Sequence, residues 1–250
     1  MARNLQVDEQ VFIPKSKIGI ENVEGSAFRQ SRVVAVADRT ITIDLVDNDG
    51  NNVSVGSSAA HRGLGFLIVR IGDFRTEDSL LDPLAKSVLQ FSRILVTDEF
   101  VRRIDIRTID ELGSYWALNH AVYSHLIFIG HGSPDSITFG LGEPASAERL
   151  LAVLEVEGVQ PKTILFLACE TGKAPIAREI SASPVCESYI APFSAVHGAD
   201  SSLFVQMFLN KHLLDGRTTT VAFKRAYAAI ARCPFRIWEN GNLKSGYHAR

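Results

Sequence analysis

The feature that most constrains this chain is a change of texture just after His61-Arg62-Gly63. From there on, strongly apolar runs of strand length alternate with longer amphipathic segments. Gly65-Phe66-Leu67-Ile68-Val69-Arg70-Ile71, His125-Leu126-Ile127-Phe128-Ile129-Gly130 and Thr163-Ile164-Leu165-Phe166-Leu167-Ala168 show no alternating polar face. A strand without a polar face is buried on both sides, and in a chain that also supplies helices this implies a parallel sheet covered above and below. Further strands are expected at Val101 to Ile106, Ser188 to Val196 and, closing the sheet, Phe235 to Trp238. Helices are expected near Leu80 to Phe91, Ile109 to Ala121, Ala147 to Glu157, Ala199 to Leu214 and Thr220 to Ala231. Asp200-Ser201-Ser202 supplies polar side chains able to cap the fourth of them. The predicted fold class is α/β, a mostly parallel sheet flanked by helices.

Before that boundary the texture is strand and turn. Val11-Phe12-Ile13, Ser31 to Ala37, Thr40 to Val46 and Asn52 to Val55 are apolar or alternating, and Asp-Arg and Asp-Asn-Asp-Gly separate the later runs as hairpin loops do. No helical period competes there, and short strands in so few residues bury an inner face by curling into a small barrel. The expected division is a small barrel over residues 1–62 and a larger domain over 63–250. The strand spacing resembles an SH3 or Tudor-like barrel, although the stretch offers only Phe12 and Phe28 where a Tudor-type ligand cage needs clustered aromatics.

A chain of 250 residues, 46% of them apolar, buries a substantial core. The formal net charge of −2 is spread over interspersed charges, so no basic face points to a nucleic-acid partner. The residues Met1 to Gln6 carry no apolar signal-peptide region, and no run is long enough to span a bilayer, so a cytoplasmic protein without a membrane partner is expected. Cys169, Cys186 and Cys233 are too few for a disulfide framework and lack metal-ligand spacing. His61, His120, His125, His197, His212 and His248 show no ligand spacing either, and no metal or cofactor is expected. Cys169-Glu170-Thr171-Gly172-Lys173 lacks the glycine pattern and ending of a P-loop, and the first arginine after Cys169, Arg178, is too distant for a phosphatase loop.

Two strands end in residues whose chemistry matches. Ile127-Phe128-Ile129-Gly130-His131-Gly132 delivers a histidine at a carboxyl end, and Leu165-Phe166-Leu167-Ala168-Cys169-Glu170-Thr171-Gly172 delivers a cysteine at another. Sites in parallel sheets are built along that edge. Imidazole can take the thiol proton, and the thiolate is the reactive form. Gly132 lets backbone approach a substrate carbonyl, and its amide together with that of Cys169 is placed to receive an oxyanion. A cysteine after a buried strand is usually a small core hydrophobe, and a lone histidine at a strand end is usually structural. Their joint occurrence at matching strand ends is what favours catalysis.

A strand ending in His-Gly, a helix, and a strand ending in Ala-Cys-Glu-Thr-Gly together resemble the caspase-like cysteine peptidase clan, and especially the bacterial CHAT-domain peptidases, over roughly Gly63 to Trp238. The resemblance implies a caspase-like fold and a cysteine endopeptidase with His131 as general base and Cys169 as nucleophile, 169 − 131 = 38 positions apart. It also implies substrate-lining roles for Leu167, two positions before the nucleophile, and for Asp73, which follows the first strand of the domain. Leu167 stands where caspases carry a polar residue, so cleavage after apolar or small side chains is expected rather than after aspartate. By the same resemblance the partners are a protein substrate and a regulatory protein that triggers the enzyme, as in bacterial antiviral defence. The alternative reading is a catalytically silent caspase-like scaffold that acts in protein–protein interaction.

Overall fold

In the computed structural model, residues 5–20, 27–45, 52–140 and 143–246 are described. The Asp47 to Gly50 turn expected from sequence, with Val46, lies outside the described residues, as do Met1 to Asn4 and His248.

The N-terminal strands are β1 (Gln10–Pro14), β2 (Phe28–Val36), β3 (Thr40–Asp44) and β4 (Asn52–Gly56), an antiparallel meander in chain order. Alternation sorts their faces: Val11, Ile13, Val33, Ile41, Ile43 and Val55 form a core with Leu5, Leu45 and Ala60. After a 3-10 turn at Ser57–Ala59, His61 returns to β1. The Phe12 amide donates to the His61 carbonyl at 2.8 Å, and the His61 amide donates to that of Phe12 at 2.9 Å. Among the described residues the sheet runs from β1 to β4, and the chain then returns to β1 at the Phe12–His61 bridge. None of these strands joins the larger sheet.

The rest of the chain runs β5 (Gly65–Ile71), α1 (Asp82–Leu95), β6 (Val101–Ile106), α2 (Ile109–Asn119), β7 (Tyr123–Ile129), β8 (His131–Gly132), β9 (Ser136–Phe139), β10 (Glu143–Ser146) and α3 (Ala147–Leu154). It continues with β11 (Lys162–Leu167), α4 (Ala174–Ala182), β12 (Cys186–Pro192), α5 (Gly198–Leu209), α6 (Thr219–Ala228), β13 (Phe235–Glu239) and β14 (Asn242–Gly246). A seven-stranded sheet has the order β14-β13-β12-β11-β7-β5-β6. The five strands from β6 to β12 in that order are parallel, and β13 and β14 add an antiparallel edge. The expected mostly parallel sheet flanked by helices is the observed architecture. The caspase-like expectation matches it in having such a sheet.

Two-residue alternation decides which layer each strand residue feeds. Phe66, Ile68, Ile127, Ile129, Leu165 and Leu167 pack under α1, α5 and α6. Leu67, Val69, Ile71, Leu126, Phe128, Ile164, Phe166 and Ala168 pack under α2, α3 and α4. The register partners Phe128 and Phe166 stack with centroids 4.5 Å apart. Helix α2 begins with a capping box, Thr108 accepting from the Glu111 amide while Glu111 accepts from that of Thr108, worth about 1 kcal/mol.

The meander packs against the α1, α5 side of the large sheet. Phe12 meets Phe100 edge-on at 5.4 Å, Phe28 is part of the core beneath α1 and α5, and the Ser58 hydroxyl donates to the Gly216 carbonyl at 2.7 Å. The buried rings of His61, His212 and His125 lie in series along this seam, 5.4 and 5.7 Å apart. No helix among the described residues is long and apolar enough to cross a membrane.

Candidate active site

Strand β5 pairs with β6 on one side and β7 on the other, so the connections diverge there, and parallel sheets build their sites at the carboxyl edge of such a point. Asp73 follows β5, His131 follows β7, and Cys169 follows β11. Ile129 is the register partner of Leu167 on the neighbouring parallel strand. Two residues further along each chain stand His131 and Cys169.

The Cys169 loop is held from behind by groups whose purpose is otherwise hard to see. Glu170 has φ of 65°, a left-handed conformation unusual for a side-chain-bearing residue, and it turns the chain sharply after the cysteine. Thr171 is fully buried, and its hydroxyl donates to the Ala168 carbonyl at 2.7 Å. The Thr171 carbonyl accepts from the Tyr189 hydroxyl at 2.9 Å. The Gly172 amide donates to the Pro192 carbonyl at 2.7 Å, and its carbonyl accepts from the Trp238 indole at 3.2 Å. A Cβ on Gly172 would lie 2.4 Å from the Ala191 carbonyl oxygen, so only glycine fits there. The loop ends as Lys173 pairs with Glu170, and α4 begins with Pro175 in its first turn.

Gly132 is equally constrained. A Cβ there would meet Thr171 Cγ2 at 2.5 Å, the Cys169 carbonyl oxygen at 3.1 Å and Ala168 Cβ at 3.2 Å. The His131-Gly132 segment thus lies directly against the cysteine loop. Its own geometry is fixed by the β8–β9 hairpin, in which His131 pairs with Thr138 and Gly132 with Ile137.

Cys169 is part-exposed, whereas Cys186 and Cys233 are 6% and 1% exposed. Burial pushes the Cys186 thiol well above the ordinary range and the Cys233 thiol up to about 11, so both stay protonated and shielded at neutral pH. No hydrogen bond joins the Cys169 sulfur to His131 among the described residues. The imidazole Nε2 is engaged on the β5 side instead, 2.6 Å from the Thr76 hydroxyl and 3.3 Å from Asp73 Oδ2. Catalytic hydrogen bonds commonly close only around a bound substrate.

The structure gives the two residues expected to line the substrate pocket other surroundings. Leu167 is a core residue, 5% exposed beneath the α1, α5 layer, and presents almost no surface to a substrate. Asp73 lies at the site with its carboxylate committed to its own loop. It accepts from the Thr76 hydroxyl at 2.8 Å, the Thr76 amide at 3.2 Å and the Arg75 amide at 3.3 Å. These bonds, led by that from the Thr76 hydroxyl, and the charge of His131 hold its pKa below the usual carboxylate value. Phe74, next in sequence, is 68% exposed with the Arg107 guanidinium 4.3 Å from its ring centroid.

No signal in the sequence assigns Thr76, Tyr189 or Trp238 a part in the site. The Asp-x-x-Thr spacing of Asp73 and Thr76 is a local capping signal, but nothing in it points at His131. No group of three metal-ligating side chains gathers among the described residues.

No family model matches the chain, and no curated protein matches it. Among solved structures it is similar to a secreted C11 cysteine protease from Bacteroides thetaiotaomicron, "iotapain", with a TM-score of 0.46 and 12% identity over 70% of this chain. It is also similar to an inactive zymogen C11 protease from Parabacteroides distasonis, with a TM-score of 0.45 and 8% identity over 71% of this chain. The chain spans 65% and 62% of those two proteins' lengths.

Proposed function

We propose that this chain is a caspase-like cysteine endopeptidase in which Cys169 is the nucleophile and His131 the general base. The observation that supports this most is the matched placement of the two residues: each lies two positions past a register pair of adjacent parallel strands, with Gly132 packed on the Cys169 loop. In this reading the imidazole takes the Cys169 proton and the thiolate attacks the scissile carbonyl carbon. The amides of Gly132 and Cys169 receive the oxyanion, and collapse of the tetrahedral intermediate expels the amine, which takes the proton from His131. The thioester is then cleaved by a water deprotonated by His131, releasing the carboxyl product and restoring the thiol.

The substrate is a protein, and activation by a separate protein partner belongs to the same reading, as does a role in bacterial defence. We carry forward a preference for apolar or small substrate side chains, with the exposed ring of Phe74 as the apolar surface in place of Leu167. A peptide library that showed a strict requirement for Arg, Lys or Asp would remove that preference. The test of the peptidase itself is a proteome-wide cleavage screen with neighbouring genes co-expressed. Cys169→Ala should abolish every cleavage, and His131→Ala should lower the rate by roughly 10²- to 10⁴-fold. Cleavage that persists in Cys169→Ala would refute the assignment. Absence of any cleavage, with a partner bound, would favour an interaction scaffold.

A further inference from the structure

We propose that Asp73 and Thr76 are positioning residues that hold His131 as the Nε2–H tautomer and leave Nδ1 as the nitrogen that accepts a proton. This rests on the reading of His131 as the base of Cys169 and adds to it a defined third element.

The assignment follows from counting protons at one contact. Asp73 carries an ionised carboxylate that can only accept hydrogen bonds. The Thr76 hydroxyl has one proton, and it lies 2.8 Å from Asp73 Oδ2, so that proton is donated to the carboxylate. At 2.6 Å from His131 Nε2, the Thr76 oxygen then has only a lone pair to offer. Nε2 must therefore be the donor, both to Thr76 and to Asp73 Oδ2 at 3.3 Å. In the neutral ring the bare nitrogen is then Nδ1. After proton uptake the imidazolium keeps the same Nε2 contacts, with the carboxylate beside it.

A purely structural role for Asp73 would end at its loop. Its carboxylate accepts from the Arg75 and Thr76 amides, as a residue opening a helical turn does, and the turn at Glu77–Leu81 follows at once. Capping does not require the Thr76 hydroxyl to lie between the carboxylate and a histidine from another strand. The loop is further braced where Glu77 receives Arg70 at 2.6 Å and Arg107 at 3.1 Å, so Asp73 and Thr76 reach His131 from a fixed platform.

The test combines a tautomer measurement with a conservative pair of variants. In Cys169→Ala protein labelled with ¹⁵N-histidine, the His131 ring, assigned by its loss in His131→Gln, should show a protonated Nε2 and a bare Nδ1 when neutral. Asp73→Asn keeps a side-chain oxygen for the loop amides but removes the group that can only accept, and should leave the neutral His131 ring with a larger share of the Nδ1–H tautomer. In the active enzyme Thr76→Val should lower kcat by about 10- to 100-fold with little change in KM, and Thr76→Ser should restore most of it. A neutral His131 protonated on Nδ1 with Asp73 in place, an unchanged tautomer in Asp73→Asn, or equal kcat in the Val and Ser variants would overturn the proposal. The tautomer is read without any cleavage, so a chain that cleaves nothing but shows the Nε2–H ring would cost the peptidase reading and leave the positioning device standing.

Discussion

Replacing Gly132 by alanine probes the closest packing in the site. A carbon pair prefers about 3.5–4.0 Å, and the new Cβ would stand 2.5 Å from Thr171 Cγ2, a deficit of about 1 Å. Thr171 cannot turn aside, because its hydroxyl is bound to Ala168 and its carbonyl to Tyr189. The His131-Gly132 segment and the Cys169 loop must therefore separate. Overpacking of this kind costs about 1–3 kcal/mol, and a displacement of about 1 Å at reacting groups costs on the order of 100-fold in rate. Thr171→Ser removes Cγ2 while keeping the hydroxyl, at a cost of about 1 kcal/mol for the buried methyl. The contacts left in the double variant, 3.1 and 3.2 Å, ask for only a few tenths of an ångström. Urea denaturation of the four proteins should give a favourable coupling of about 1–2 kcal/mol between the two changes, and the labelling rate of Cys169 should follow stability. Wild-type stability in Gly132→Ala, or strictly additive losses in the double variant, would refute the close contact.

Three further outcomes are expected. Burial lowers the Lys162 pKa from 10.5 to about 8, its amine donating to the His120 carbonyl at 3.0 Å. The folded state disfavours the charged amine, so the penalty is full below pH 8 and is relieved as pH rises from about 8 towards 10.5. The whole shift would correspond to about 3 kcal/mol, of which about half survives local solvation, so Lys162→Met should be neutral to stabilising at pH 7. Its advantage should shrink as pH rises through that window in pH-dependent denaturation, and a constant difference would contradict this. Arg70, 7% exposed, bridges Glu77 and Asp105. Arg70→Met should destabilise by about 2 kcal/mol in the same assay, below the roughly 3–5 typical of breaking a buried pair, because Arg107 and Arg103 still serve the two carboxylates. Cys186→Ala should leave cleavage nearly intact, and loss of activity without loss of fold would place chemistry at that thiol.

The inner strands of the parallel sheet were legible because burial on both faces leaves a nearly unbroken apolar run: β5 begins and ends where sequence places it. Helix α4 was not read, although Pro175 near its start and Ile176 and Ile180 one turn apart carry the signal. The β8, β9 and β10 ribbon escaped because its strands are two to four residues long, too short for alternation to register. His131 and Cys169 were visible because strand ends fix position, and each lies two residues past a register pair, on the sequence parity of Ile129 and Leu167. Leu167 shares that parity, but burial beneath α1 and α5 is a tertiary property. Asp73 sits in a loop whose direction only packing determines, and its turn towards His131 through Thr76 has no sequence signature.

Cys186 and Cys233 are buried, so Cys169 will outpace them towards an alkylating reagent whether or not His131 activates it. The decisive comparison is between proteins that differ only at the base. The rate of iodoacetamide labelling at Cys169, followed by mass spectrometry from pH 5 to 10 in wild type and His131→Ala, tests the central claim directly. An activated thiol predicts labelling near neutral pH at least about tenfold faster in wild type than in the variant. Coincident pH profiles in the two proteins would show that His131 does not act on Cys169.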